Sequence, residues 1–212
     1  DVYKRQGLTF INYQVLFSNK NVLPSIFNSL FITLVGTGLN ILLTILAAYA
    51  LTRPQLVGKR VLMVFFIIMM LFDPGIVPEY MVVKALKLTG SQWSIILCQA
   101  MNVYYLIVMM RYFEAVPPSL YEAARIDGAN HFSILFKIVC PLAKAGVATL
   151  TMFYGVARWN EYYRSGIYIS SISKVPLQVI LRKFVVDGDV TTLIGTQNLF
   201  DYLSLIHISE PT

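Results

Sequence analysis

Four long apolar stretches dominate the chain. The run from Asn28 to Leu51 carries no charge and exceeds the roughly 20 apolar residues that cross a bilayer core as helix. Its polar residues Thr33, Thr37, Asn40 and Thr44 recur every three or four positions, so they share one helical face, with Gly36 and Ala47 beside them. Such a stripe suits close helix packing in lipid. It would equally suit the wall of a water-filled path. A second run, Val61 to Phe72, is interrupted by Asp73-Pro74-Gly75 and resumes from Ile76 to Val83. Asp73 is then either an intramembrane acid with a function or a water-facing residue at a helix break. The third run, Trp93 to Met110, is uncharged and closed by Arg111; Tyr104, Tyr105 and Tyr112 fit interfacial anchoring. The fourth, Ile138 to Ala157, carries only Lys144, near its start, and ends at Trp159, Tyr162 and Tyr163. The pattern predicts spans near 26–51, 61–83, 93–113 and 138–163.

The connections order these spans. Thr52 to Arg60 holds Arg53, Lys59 and Arg60, which places it on the cytoplasmic side. Alternation puts Lys84 to Gln92 outside, Glu114 to Lys137 inside, and the residues from Arg164 onward outside. Basic residues are dense in the first inner loop, but summed over all loops they do not discriminate the two sides.

Composition narrows the class. Of 212 residues, 57% are hydrophobic and 13% charged, where a soluble domain is nearer half apolar and a quarter charged. This excludes an ordinary soluble globule, a disordered chain and a disulfide-stapled module. The net charge of +6 points to a membrane surface and not to nucleic acid. Cys98 and Cys140 form no framework or metal site and read as buried free thiols. His131 and His207 are the only histidines, and no P-loop or G-x-S-x-G motif is present. No catalytic constellation and no metal site is expected, so any ATP hydrolysis belongs to a partner.

The loop from Glu114 to Pro141 carries the most specific pattern. Pro117-Pro118 stops one helix and presets an extended entry. Ser119 with Glu122 reads as a capping box that starts a short helix through Ala123 and Ala124. Asp127-Gly128 ends it, with Gly128 free to turn left-handed. Asn130 then caps a second short helix containing His131 and Phe132. The result is a helix–turn–helix lying at the cytoplasmic face.

Glu122-Ala123-Ala124, three residues, Gly128, nine residues and Ile138-Val139-Cys140-Pro141 together resemble the EAA loop of ABC importer permeases, with Cys140 in place of the usual leucine. The string from Glu122 to Asn130 is similar to that of the carbohydrate-uptake branch, the relatives of the smaller maltose-transporter permease. Asn28-Ser29-Leu30, Ala48-Tyr49-Ala50-Leu51 and Trp159-Asn160 resemble the same branch. Met70 to Leu88 and Val175-Pro176-Leu177-Gln178 resemble its lipoprotein-linked oligosaccharide permeases. The resemblance covers residues 7–202. The ends, 1–6 and 203–212, resemble translated sequencing-adapter sequence and are expected to be non-native tails.

The resemblance implies an all-α polytopic protein of the bacterial inner (cytoplasmic) membrane. The fold would be that of a type I importer permease, as a fragment holding four to five of six transmembrane helices. The first helix would lie upstream of Gly7 and the sixth downstream of Tyr202. The chain would do no covalent chemistry and bind no cofactor. ATP and Mg would sit on a dimer of ATP-hydrolysing partners, beside a second permease subunit and an extracytoplasmic sugar-binding lipoprotein. By resemblance, Glu122 makes the polar docking contact, Ala123, Ala124 and Gly128 permit close approach, and Arg125, Asp127 and Pro141 complete the coupling loop. Glu122 could also serve only its own helix cap, and Arg125 could be a plain solvated charge. Asn102, Tyr104, Tyr154, Trp159 and Asn160 have the chemistry to contact a sugar, though anchoring and packing explain the aromatics equally well. Ser170 to Asp189 would form an outer segment facing the binding protein. The competing reading is an ion- or proton-coupled secondary transporter, which should show buried charges at mid-span and an internal repeat.

Overall fold

The computed structural model describes residues 21–185, and the expected tails at 1–6 and 203–212 lie outside them, as do residues 186–189 of the outer segment. The described chain is helical without strands. Its first helix, α1 (Val22–Thr52), has 31 residues and is about 46 Å long at 1.5 Å per residue. Among the described residues it is the one helix that is long and apolar enough to cross a membrane unaided. Gly36, Thr37, Asn40 and Thr44 are buried. They face α5 (Val103–Glu114) and α9 (Lys144–Trp159), which pack along α1. Within this chain the polar stripe is therefore a packing surface.

The other three expected spans are each broken. The 61–83 stretch folds as α2 (Lys59–Leu71) and α3 (Ile76–Ala85), bent by 117°. Asp73 is exposed at the corner, and its Oδ1 accepts a hydrogen bond from Gly75 N at 2.9 Å. Gly75 takes φ +76° there, a conformation that costs glycine nothing. Asp73 thus shapes a turn. Every residue of α2 is at least partly exposed, and its surface is a band of Val, Phe, Ile, Met and Leu. The 93–113 stretch divides into α4 (Trp93–Cys98) and α5. The interruption, Gln99 to Asn102, contains neither Pro nor Gly, so no local breaker announces it.

The 138–163 stretch starts earlier than expected. α7 (His131–Ile134) runs into a π turn, Leu135–Val139, then α8 (Cys140–Leu142), and bends by 86° before α9. Pro141 explains the π turn. It has no N–H to donate, and its ring would press on the carbonyl four residues back, so the chain widens at this point. Cys140 N reaches Leu135 O, five residues back. Short α10 (Tyr163–Tyr168), a 3-10 turn at Ile172–Lys174 and α11 (Leu177–Val185) complete the described chain.

Two apolar clusters sit at opposite ends of α1. One gathers Ile45, Ala48 and Tyr49 with Leu106, Phe113, Ala124, Ile134 and Leu135. The other gathers Val22 and Ile32 with Val83, Ile95, Tyr168, Val175 and Val179. The loops expected on one side thus meet at one end, and those expected on the other side meet at the other. Cys98 and Cys140 are free but only half-buried.

Candidate functional site

The loop from Glu114 to Pro141 forms much as its sequence requires, with one exception. α6 (Pro118–Ile126) has Pro117 at its N-cap and Pro118 at its first position, and no side chain caps it. The expected Ser119–Glu122 capping box does not form. Proline at the first helical turn already suits the missing donor and fixes φ, so the helix starts before Ser119 can act as its cap. Glu122 is consequently free of a capping duty and exposed.

The far end of α6 follows the expected turn. Gly128 takes φ +76°. Gly128 N donates to Arg125 O at 3.1 Å and Ala129 N to Ala124 O at 2.9 Å, the paired bonds of a Schellman ending. Asn130 Oδ1 then accepts from Ser133 N at 2.8 Å and caps α7. Asp127 is the C-cap residue of α6 and is exposed.

This geometry sorts the loop residues by direction. Ala124 is buried against the chain's own core, while Glu122, Ala123, Arg125, Asp127 and Gly128 face outward. Ala124 therefore seats α6 on the bundle, and Ala123 and Gly128 are the small residues of the loop left exposed. Ile126 is 86% exposed and Phe132 66%, an apolar display beside the charges. Pro141 is exposed on α8, beyond the π turn.

A residue outside the loop secures it. The guanidinium of Arg53, just past α1, lies 3.8 Å from the ring centroid of Tyr121 and 4.5 Å from that of Tyr49. A cation on an aromatic face is worth about 0.5–2 kcal/mol, more when water is excluded. Tyr121 OH also donates to Phe113 O at 3.3 Å, and Tyr49 OH pairs with His131 Nδ1 at 3.3 Å. Together with Pro118, Glu122 and Arg125, these residues line a cleft of about 180 Å³. Arg53 had entered the sequence reading only as a topological charge. Its place after an aromatic, Tyr49, four residues earlier was the available signal.

The proposed sugar-contacting residues separate. Tyr154 and Asn102 come together: Tyr154 OH is 2.8 Å from Thr44 Oγ1 and accepts from Asn102 N at 3.1 Å. Tyr105 stacks edge-on to Tyr154, with centroids 4.8 Å apart. Asn102 Oδ1 caps α5 through Tyr104 N and Tyr105 N. Tyr104 is exposed, Trp159 is half-buried, and Asn160 is the exposed C-cap residue of α9; none of these three joins that contact.

Sequence reasoning missed Arg158, which is 3% exposed. It donates to the carbonyls of Ile95 (2.6 Å), Ile96 (3.0 Å) and Gln99 (2.6 Å) and to Asn40 Oδ1 (2.9 Å). Gly36 makes room for it, since a Cβ there would lie 3.1 Å from Arg158 Nε. A charge within an apolar run opposite an Asn and a Gly on another run was the signal. At the Asn28 end of α1, Glu79 and Glu161 both pair with Arg164, at 3.0 and 3.7 Å. There too, Asn28 Nδ2 donates to Ser173 O and Val175 O, and Leu177 N donates to Ser29 Oγ at 2.7 Å.

The class of fold that this bundle defines is that of the membrane subunits of ABC importers. The chain belongs to the binding-protein-dependent transport system inner membrane component family, whose pattern it matches over residues 40–185. It is 40% identical over 174 residues to the polygalacturonan/rhamnogalacturonan transport system permease protein YtcP of Bacillus subtilis (strain 168), covering 82% of this chain and 61% of that one. To the protein LplC of the same organism it is 37% identical, covering 86% of this chain and 62% of that one. The chain thus spans about three fifths of the length of these curated relatives. In fold it matches, with a TM-score of 0.82 and 30% identity over 96% of this chain and 81% of the other, a solved bacterial ABC transporter involved in importing the acidic polysaccharide alginate. Membership of this family counts against the secondary-transporter reading.

Proposed function

We propose that the chain is a permease subunit of an ATP-driven, binding-protein-dependent importer of sugars, with oligosaccharides as the substrate class. The carrying observation is the α6 turn. A Schellman ending and an aromatic clamp fix a short helix at one end of the bundle, with Glu122, Arg125 and Ile126 turned outward. That display suits docking to an ATP-hydrolysing partner through one polar contact and an apolar seat. The chain crosses the inner membrane several times, the broken pairs α2–α3 and α7–α9 each acting as one span. It carries out no covalent step and holds no cofactor, and ATP and Mg belong to the partner. A second permease and an extracytoplasmic sugar-binding lipoprotein complete the assembly. The names of YtcP and LplC's fellow relatives support the sugar: polygalacturonan for one, arabinooligosaccharides for AraQ of Halalkalibacterium halodurans. Closure of the ATPase dimer drives alternating access only as far as it binds one permease state more tightly than the other.

Co-purification of the full-length permease with its ATPase, wild type against Glu122→Lys, tests this. Loss of the ATPase with membrane insertion intact supports the reading. Unchanged association and unchanged sugar uptake in the variant would refute a docking role for the loop.

A further inference from the structure

We propose that the unwound segment Gln99–Asn102 lines the transport route, and that Arg158 and Tyr154 are the positioning residues that hold it there. The proposal rests on the importer reading above and assigns part of its path.

Depth comes first. Asn40 and Thr44, which face the interruption through Arg158 and Tyr154, lie well inside α1. Asn40 stands roughly 27 Å along the helix from Val22 and roughly 18 Å from Thr52. The break between α4 and α5 is therefore at bilayer depth. Non-helical backbone at that depth is tolerated only where protein buries it or water lines it.

The latch has two rungs. On α9, Tyr154 and Arg158 are one helical turn apart, and on α1 so are Thr44 and Asn40. Arg158 gathers the last carbonyls of α4 and the carbonyl of Gln99, then reaches Asn40. Tyr154 takes the N–H of Asn102, at the start of α5, and reaches Thr44. Both ends of the interruption are thus tied to α1 and α9 on one side. A guanidinium suits this task because its fan of fixed donors can satisfy several carbonyls at once. Among the described residues, no carboxylate forms a salt bridge with Arg158, so its partners here are neutral oxygens.

Among the described residues, the other side of the segment is only partly covered. Gln99, Ala100 and Met101 are half-buried and Asn102 is exposed, with Tyr104 56% exposed next to them. Lipid cannot cover a polar, unwound stretch of this kind; its open side meets water or a partner subunit, and labelling in the assembled complex separates the two. Amide and hydroxyl groups facing a wet path are the chemistry that exchanges hydrogen bonds with a passing sugar.

Thiol labelling tests this in the full-length importer complex, with Cys98 and Cys140 replaced by alanine. Met101→Cys is compared with Phe65→Cys on the apolar surface of α2, using a charged, water-borne methanethiosulfonate, both without ATP and after vanadate trapping. The expected result is labelling at Met101→Cys an order of magnitude faster than at Phe65→Cys, at a rate that differs between the two states. Labelling as slow as at Phe65→Cys in both states would overturn the proposal, even with ATP hydrolysis still coupled. Fast labelling indifferent to ATP would keep the wet segment and count against the importer reading instead. Arg158→Met should shift the labelling rate several-fold, and Arg158→Lys, which keeps the charge but only three donors, should shift it less. If Arg158→Met does not insert, Gly36→Ala crowds Arg158 without removing it and should shift the rate in the same direction. No shift in either variant would overturn the positioning role of Arg158.

Discussion

Gly128 offers a test in which sterics and backbone strain come apart. A Cβ built on Gly128 meets nothing within 4 Å, so Gly128→Ala introduces no clash. Within the chain, the whole cost must come from φ +76°. Holding an L-residue in the left-handed region costs about 1–2 kcal/mol. The alternative is to abandon that conformation and lose the bonds Gly128 N–Arg125 O and Ala129 N–Ala124 O. Two such bonds are worth about 1–3 kcal/mol together, so staying strained is the cheaper or equal course. The turn should persist, weakened by about 1–2 kcal/mol, which is a factor of about 5–30 in the ratio of ordered to disordered loop. Asn visits the left-handed region far more readily, so Gly128→Asn should lose much less, and β-branched Gly128→Val more than Ala. Titrating the purified ATPase onto reconstituted permease variants measures this as an order of affinities: Gly, then Asn, Ala and Val. Equal affinity for Gly and Ala would refute the reasoning, as would Asn weaker than Ala, because both deny that backbone strain sets the turn.

Other outcomes follow from the same geometry. Tyr121→Leu removes a cation–π contact worth about 0.5–2 kcal/mol and should raise amide hydrogen exchange in α6 while leaving α1 protected. Asn28→Ala removes two bonds to the 173–175 turn, so trypsin should cut after Lys174 several-fold faster than in wild type. Asp73→Asn keeps an oxygen for Gly75 N and should leave sugar uptake unchanged, while Asp73→Ala loses the turn; a strong defect in Asp73→Asn would restore a functional role for that acid.

Local signals were the legible ones. The uncharged run of α1, the left turn at Gly128 and the cap at Asn130 each depend on a few adjacent residues, and each is found where its residues place it. The resemblance at Asn28-Ser29 and at Val175-Pro176-Leu177 identified two halves of one contact, although nothing in either half names the other. Ser119 failed as a cap because Pro118, one residue earlier, satisfied the same need in another way. The straight spans failed for a different reason. An apolar run reports solvent preference and says little of continuity, and the break at Gln99 depends on the Tyr154 hydroxyl, which accepts from Asn102 N, and on the Arg158 guanidinium, which donates to Gln99 O, both more than fifty residues away. Nothing adjacent to Arg158 marks its role, because its acceptors, on Asn40, Ile95, Ile96 and Gln99, all lie on other elements.

The partners of α1 also arrive late. Asn40 waits for Arg158, 118 residues further along the chain. At synthesis rates of about 5–20 residues per second, that interval is roughly 6–24 s. During it, the longest described helix sits in the membrane with the Asn40 amide oxygen still unmatched, open to any passing helix that carries donors. Its uncharged length lets it insert alone, while its polar stripe makes it a poor resident until α9 is made. A ribosome that stalls before α9 is complete would leave behind a segment that inserts well and persists badly, a form that membrane proteases are suited to clear.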